Sequence, residues 1–189
     1  NPRLYILLDK TLKVSCLAHL SFIPIFLWLG IMEMALFNIL SVLLLGTSIF
    51  LARKEYFKLS YLLGMTEVVV HAIMAVIFAG WSSGFHYFIL VMVPFIFFWP
   101  FWRLSLKTAS SILLYSIYIG LFFFSQSLGS AYTLSFTQMI TVNTINVFLA
   151  FSTFAIVALY YQNNVQEAEK DLLDANKRLQ KLVRTDPLT

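Results

Sequence analysis

Apolar runs separated by short polar breaks organise the first 161 residues of this chain, and six can be marked, at 14–29, 34–51, 59–79, 87–101, 109–124 and 138–161. A helix needs roughly 17–25 residues to cross a bilayer, so the first, fourth and fifth runs are short or have blurred ends. Pro24 and Pro94 fall inside expected helices, where neighbouring helices tolerate the kinks they cause. The pattern predicts an all-α integral membrane protein, a bundle of six transmembrane helices.

Beyond the sixth run the composition turns polar while the helical period continues. Ala158, Tyr161, Val165, Ala168, Leu172, Ala175, Leu179 and Leu182 step by three and four alternately, with Gln, Glu, Lys, Asp and Arg between. That spacing is the a/d seam of a coiled coil. A seam of this kind needs a second helix, most simply the same helix of another copy in a parallel homodimer. The alanines make it a weak coil, easy to rotate or re-register. The organisation expected is a six-helix sensor domain over 1–161, a cytoplasmic coiled-coil stalk over 162–185, and the first residues of a further domain at 186–189.

Composition supports the membrane reading. Of 189 residues, 60% are hydrophobic and 12% charged, against roughly 25% charged and about 45–50% apolar in ordinary soluble domains. The thirteen Lys and Arg lie in four zones, 3–13, 53–58, 103–107 and 170–184. They punctuate apolar runs instead of covering one face, which argues against nucleic acid as a partner. By the positive-inside rule, the first three zones place the N-terminus and two loops in the cytoplasm. The connections at 30–33, 80–86 and 125–137, left outside, contain no Lys or Arg. Both termini are therefore expected in the cytoplasm of a multi-pass protein of the cell inner membrane. The single Cys16 excludes an intramolecular disulfide. A start at Asn1 instead of Met and a stop at Thr189 suggest a piece of a longer protein.

Residues 175–189, ending in Asp186-Pro187-Leu188-Thr189, resemble the stalk and first residues of GGDEF domains, in which a dimeric helix runs into a D-x-L-T motif. The matching positions are Asp186, Leu188 and Thr189. The resemblance implies a diguanylate cyclase as the parent protein, in which two output domains, each holding GTP and Mg, meet to make cyclic di-GMP. The segment at hand stops before that family's signature loop and metal carboxylates, so it is not expected to be an enzyme itself. The six-helix part is similar to the membrane-associated sensor modules attached to GGDEF domains. Through Gly80-Trp81-x-x-Gly84-Phe85 it is also similar to the six-helix receptors of quorum-sensing histidine kinases.

Ionisable groups in hydrocarbon are costly and ask for partners. Glu67 and His71, four apart, share one face of the third helix. At ~1.5 Å per residue His71 lies roughly 13 Å below Gly80, near mid-membrane. With Trp81, His86, Asn143 and Asn146 they form the candidate site for a small, apolar ligand entering from outside. The plainer readings are a Glu67–His71 tie between helices, aromatic anchoring around His86, a pairing of His19 with a neighbouring helix, and interhelical hydrogen bonds from Asn143 and Asn146. Glu33 reads as a solvated loop residue. The alternative function is a haem or metal sensor using His71, His86, Glu67 or His19, since histidines are usual haem ligands. A transporter or channel would need charged pathways or broken helices, and the coiled coil argues against it.

Overall fold

The computed structural model describes residues 2–185. Its helices are α1 (Pro2–Leu29), α2 (Met32–Arg53), α3 (Phe57–Ala79), α4 (Tyr87–Phe98), α5 (Leu104–Leu128) and α6 (Phe136–Thr185), with one 3-10 turn at Trp81–Ser83. No strand occurs among the described residues. Among the described residues five helices carry stretches long and apolar enough to cross a bilayer: Leu8–Leu29 of α1, all of α2, α3 and α5, and Phe136–Lys181 of α6. Leu17, Leu43, Leu113 and Phe148, all exposed, belong to these stretches, and in water such surface would drive aggregation. The chain is an all-helical, membrane-embedded protein.

The fourth expected span, 87–101, forms a helix of only 12 residues. At ~1.5 Å per residue it covers about 18 Å, short of the ~30 Å hydrocarbon core. Proline sets the lower limit. Pro100 pushes the residue before it out of helical geometry, and Trp99 is extended at φ −74, ψ 112. On the upper side, Gly80 and Gly84 take positive φ values of 89 and 84. They turn residues 80–86 inward, and Ser83, Phe85 and His86 are buried. Irregular backbone folded in this way must be covered by protein, and it is.

Contacts fix where this stretch runs. The Trp81 amide donates to Ser125 Oγ of α5 at 3.3 Å. At the other end the Tyr61 hydroxyl of α3 donates to the Phe95 carbonyl at 3.1 Å, and the Tyr61 and Trp99 rings stack 4.1 Å apart. Lys107 Nζ, near the start of α5, donates to the Phe97 carbonyl at 2.7 Å. Residues 81–102 thus run back alongside α3, from its C-terminal end to its N-terminal end.

The other boundaries also move. α1 begins well before the apolar run, with Asp9 and Lys13 paired one turn apart, and α5 extends beyond 109–124 at both ends. α2 and α3 form an antiparallel hairpin in which the Ser60 hydroxyl donates to the Ser48 carbonyl at 2.8 Å and Ser48 returns a bond to Ser60. Gly64 of α3 is pressed against α1; a Cβ there would meet Leu12 Cδ2 at 2.6 Å.

Asn1–Ala150 form one compact unit and Phe151–Thr189 a second. In the second unit the chain is helical through Thr185, and the seam positions Val165, Ala168, Leu172, Ala175 and Leu179 are exposed. Leu172 keeps 71% of its surface and Leu179 61%. The side chain of Leu182, and the whole of Asp186, Leu188 and Thr189, lie outside the described residues.

Candidate functional site

Register explains how a polar group assembles in this apolar bundle. In the α2–α3 hairpin Ser48 sits opposite Ser60, and Phe37 lies opposite His71, their rings 5.9 Å apart. Following that register, Ser41 stands at the level of Glu67 and Asn38 at that of His71. All four side chains are buried. From α1, His19 Nε2 comes within 3.2 Å of Glu67 Oε1, and its ring meets the His71 ring edge to face at 4.5 Å. The rings of Phe22, Phe26, Phe37 and Phe85 enclose His71.

Hydrogen-bond chemistry constrains the protons here. His19 Nδ1 lies 2.8 Å from the Ser15 carbonyl, which can only accept, so Nδ1 carries a hydrogen. Nε2 then faces a carboxylate oxygen. A proton shared between Nε2 and Oε1 would leave the His19–Glu67 pair neutral as a whole. The contact has the distance of an ion pair but not the angles of a formed hydrogen bond. Both Glu67 oxygens, His19 Nε2, His71 Nε2, Asn38 Oδ1 and Ser41 Oγ remain without a hydrogen-bond partner. Buried polar atoms are rarely left so, and at least four of these are oxygens able to accept.

A second group stands above. The Trp81 and His86 rings stack at 3.8 Å, nearly parallel, with Tyr87 and Tyr118 against His86. Asn143 Nδ2 donates to the Ser82 carbonyl and Asn146 Nδ2 to the Ser83 carbonyl, each at 2.9 Å. Gly84 makes this approach possible, since a Cβ there would meet Asn143, Tyr87 and Asn146 at 3.1 to 3.3 Å. The structure therefore brings Glu67, His71 and His19 together, and separately Trp81, His86, Asn143 and Asn146. Phe85 fills the space between, its ring 5.2 Å from Phe26 and 6.1 Å from His71.

Among the described residues no three His, Cys, Asp or Glu side chains are grouped to hold a metal ion. His86 is stacked on Trp81 instead of joining His19, Glu67 and His71. A cavity of about 50 Å³ lies between α1, α3 and α4, lined by Leu12, Ser15, Gly64, Val68, Met92 and Trp99 among others. It touches none of the six residues expected to bind the ligand, and it occupies the half of the bundle opposite to residues 80–86.

Asn38, Ser41 and the Tyr61–Trp99 stack were missed in the sequence. The signal for the first two was present, because Asn38, Ser41 and Ser48 recur at helical spacing along an otherwise apolar α2. Glu33, expected to be merely solvated, accepts the Tyr132 hydroxyl on both oxygens, at 2.9 and 2.7 Å. That contact raises the Tyr132 phenol above its ordinary pKa. No protein-family model, curated protein or solved structure matches this chain.

Proposed function

We propose that this chain is the membrane input module of a signalling protein: the bundle receives a small apolar ligand, and α6, paired with α6 of a second copy, passes the change to a diguanylate cyclase output. The observation that carries the reading is α6 itself. One helix of 50 residues bears both the Asn143 and Asn146 contacts to the turn at 82–83 and the exposed apolar seam. The cavity lined by Leu12, Gly64, Val68 and Met92 offers apolar surface to such a ligand. Its walls include Val68, next to Glu67 in the chain, and Ser15, whose carbonyl faces His19 Nδ1, so a guest there acts on the His19–Glu67 pair from below. Glu67, His71, Trp81, His86, Asn143 and Asn146 then relay the change.

The reading includes a sixth crossing. Residues 81–102 run the length of α3, and the folded-in turn and extended end make up what the 12-residue α4 lacks. With an even number of crossings, the basic zones and both termini share the cytoplasmic side of the inner membrane.

Disulfide trapping tests the dimer. Cysteine at Leu172 or Leu179 is expected to crosslink between copies in membranes, and cysteine at Lys170 or Lys177 to crosslink poorly. Equal trapping at all four positions would overturn the seam.

A further inference from the structure

The oxygens around Glu67 form a set of acceptors with too few donors. Glu67 Oε1 and Oε2, Asn38 Oδ1 and Ser41 Oγ are buried and without a hydrogen-bond partner, and the hairpin register stacks them at adjoining levels of α2 and α3. Among the described residues neither Glu67 oxygen accepts a hydrogen bond, and His19 Nε2 lies 3.2 Å from Oε1, where the two can share a proton. We propose that this cluster is a binding site for one monovalent cation, of sodium or ammonium size, which enters as the His19–Glu67 proton leaves.

Charge fixes the valence. The groups that face Glu67 and can change charge are His19 of α1 and His71 of α3. α2 contributes none between Glu33 and Arg53, and α4 none that ionises as an acid or cation between Tyr87 and Phe98. Asp9, lower on α1, is engaged by Lys13. With both imidazoles neutral, Glu67 supplies one negative charge, and one positive charge cancels it. A divalent ion would leave a net charge in a dry interior, where an unpaired charge is strongly disfavoured. Hard cations favour carboxylate, carbonyl and hydroxyl oxygens over nitrogen, and those are what the cluster presents. Entry of the cation releases one proton from between Nε2 and Oε1, leaving His19 as the neutral tautomer with its hydrogen on Nδ1. The exchange is electrically silent. The site is separate from the apolar cavity and stands whether or not the output assigned above is correct.

The test uses the purified chain in mild detergent, with thermal unfolding followed in chloride salts of sodium, potassium, ammonium and N-methylglucamine. Sodium or ammonium is expected to raise the midpoint relative to N-methylglucamine, and the comparison identifies which ion fits. Because one proton is released, the half-saturating concentration should fall about tenfold for each unit of rising pH over the range in which the pair is protonated. Glu67→Gln should abolish the ion dependence. Ser41→Ala, a milder change that keeps the helix, should raise the half-saturating concentration. A midpoint indifferent to the choice of cation, or an ion dependence identical in the original chain, Glu67→Gln and Ser41→Ala, would sink the site. Should Glu67→Gln fail to fold, Ser41→Ala and the pH profile decide alone.

Discussion

Gly84 shows how much a single residue settles here. Its φ of +84 is one that side-chain-bearing residues rarely adopt, and the space its Cβ would fill is taken by Asn143, Tyr87 and Asn146. Alanine is disfavoured on both counts, by more than ~1 kcal/mol where the native φ is positive. Gly46, exposed in the middle of α2 with nothing near it, is the natural control. Gly84→Ala should lower the thermal midpoint and weaken the coupling of α6 to the turn at 82–83, while Gly46→Ala should leave the midpoint unchanged or raise it. Equal effects of the two substitutions would show that the close approach at Gly84 contributes nothing. At the same scale, and on the function proposed above, Glu67→Gln combined with His71→Ala should leave a folded, dimeric protein whose output no longer responds to its stimulus. A variant that folds, dimerises and responds normally would remove Glu67 and His71 from the relay.

Among the elements, α6 makes the sharpest demand. A heptad seam has a phase, and seven added residues preserve it whereas four rotate it. In a protein carrying the proposed output domain, four residues inserted after Val165 should change output much more than seven; equal effects would eliminate rotation as the coupling mode. The elements also show what periodicity can reveal. α2, α3 and the polar extension of α6 were plain in the sequence because each is a long run of one pattern. α4 was not. A hydropathy run counts apolar residues without regard to their backbone, so Gly80, Gly84 and Pro100, which bend the chain into and out of the bundle, left the apparent length of the run intact. The pairing of His19 with a neighbour was legible as a need, since a buried ionisable group must find a partner. Which neighbour depended on how α1 and α3 are set against each other, and only Gly64, with room for Leu12, hinted at that.

At the scale of the whole molecule, the proposed sidedness rests on where the basic zones fall. Ser82, Ser105 and Ser127 are exposed, which makes them suitable reporters. Cysteine at Ser82 or Ser127 should react with an impermeant thiol reagent in intact cells, and cysteine at Ser105 should react only after lysis. Reversed labelling would overturn the orientation, and labelling of Ser82 and Ser105 from the same side would show that residues 81–102 do not cross. The buried polar cluster was readable from Glu67 and His71 alone. Its division into two groups was not, because the plug that separates them, Phe85, is indistinguishable in sequence from any other phenylalanine of a lipid-facing helix.

The segment leading into α6 is fastened to the end of α3 by main-chain bonds. The amides of Ala131 and Tyr132 donate to the carbonyls of Ile77 and Phe78, at 2.9 and 3.0 Å. Every amino acid but proline supplies the same amide. Drift of the side chain at 131 therefore costs this joint nothing, and a screen of substitutions there would pass over it as silent ground, whereas a change at 132 also removes the Tyr132–Glu33 hydrogen bonds. Only proline, which has no amide hydrogen to give, could unbutton it, so the joint is robust to nearly every point mutation and vulnerable to one.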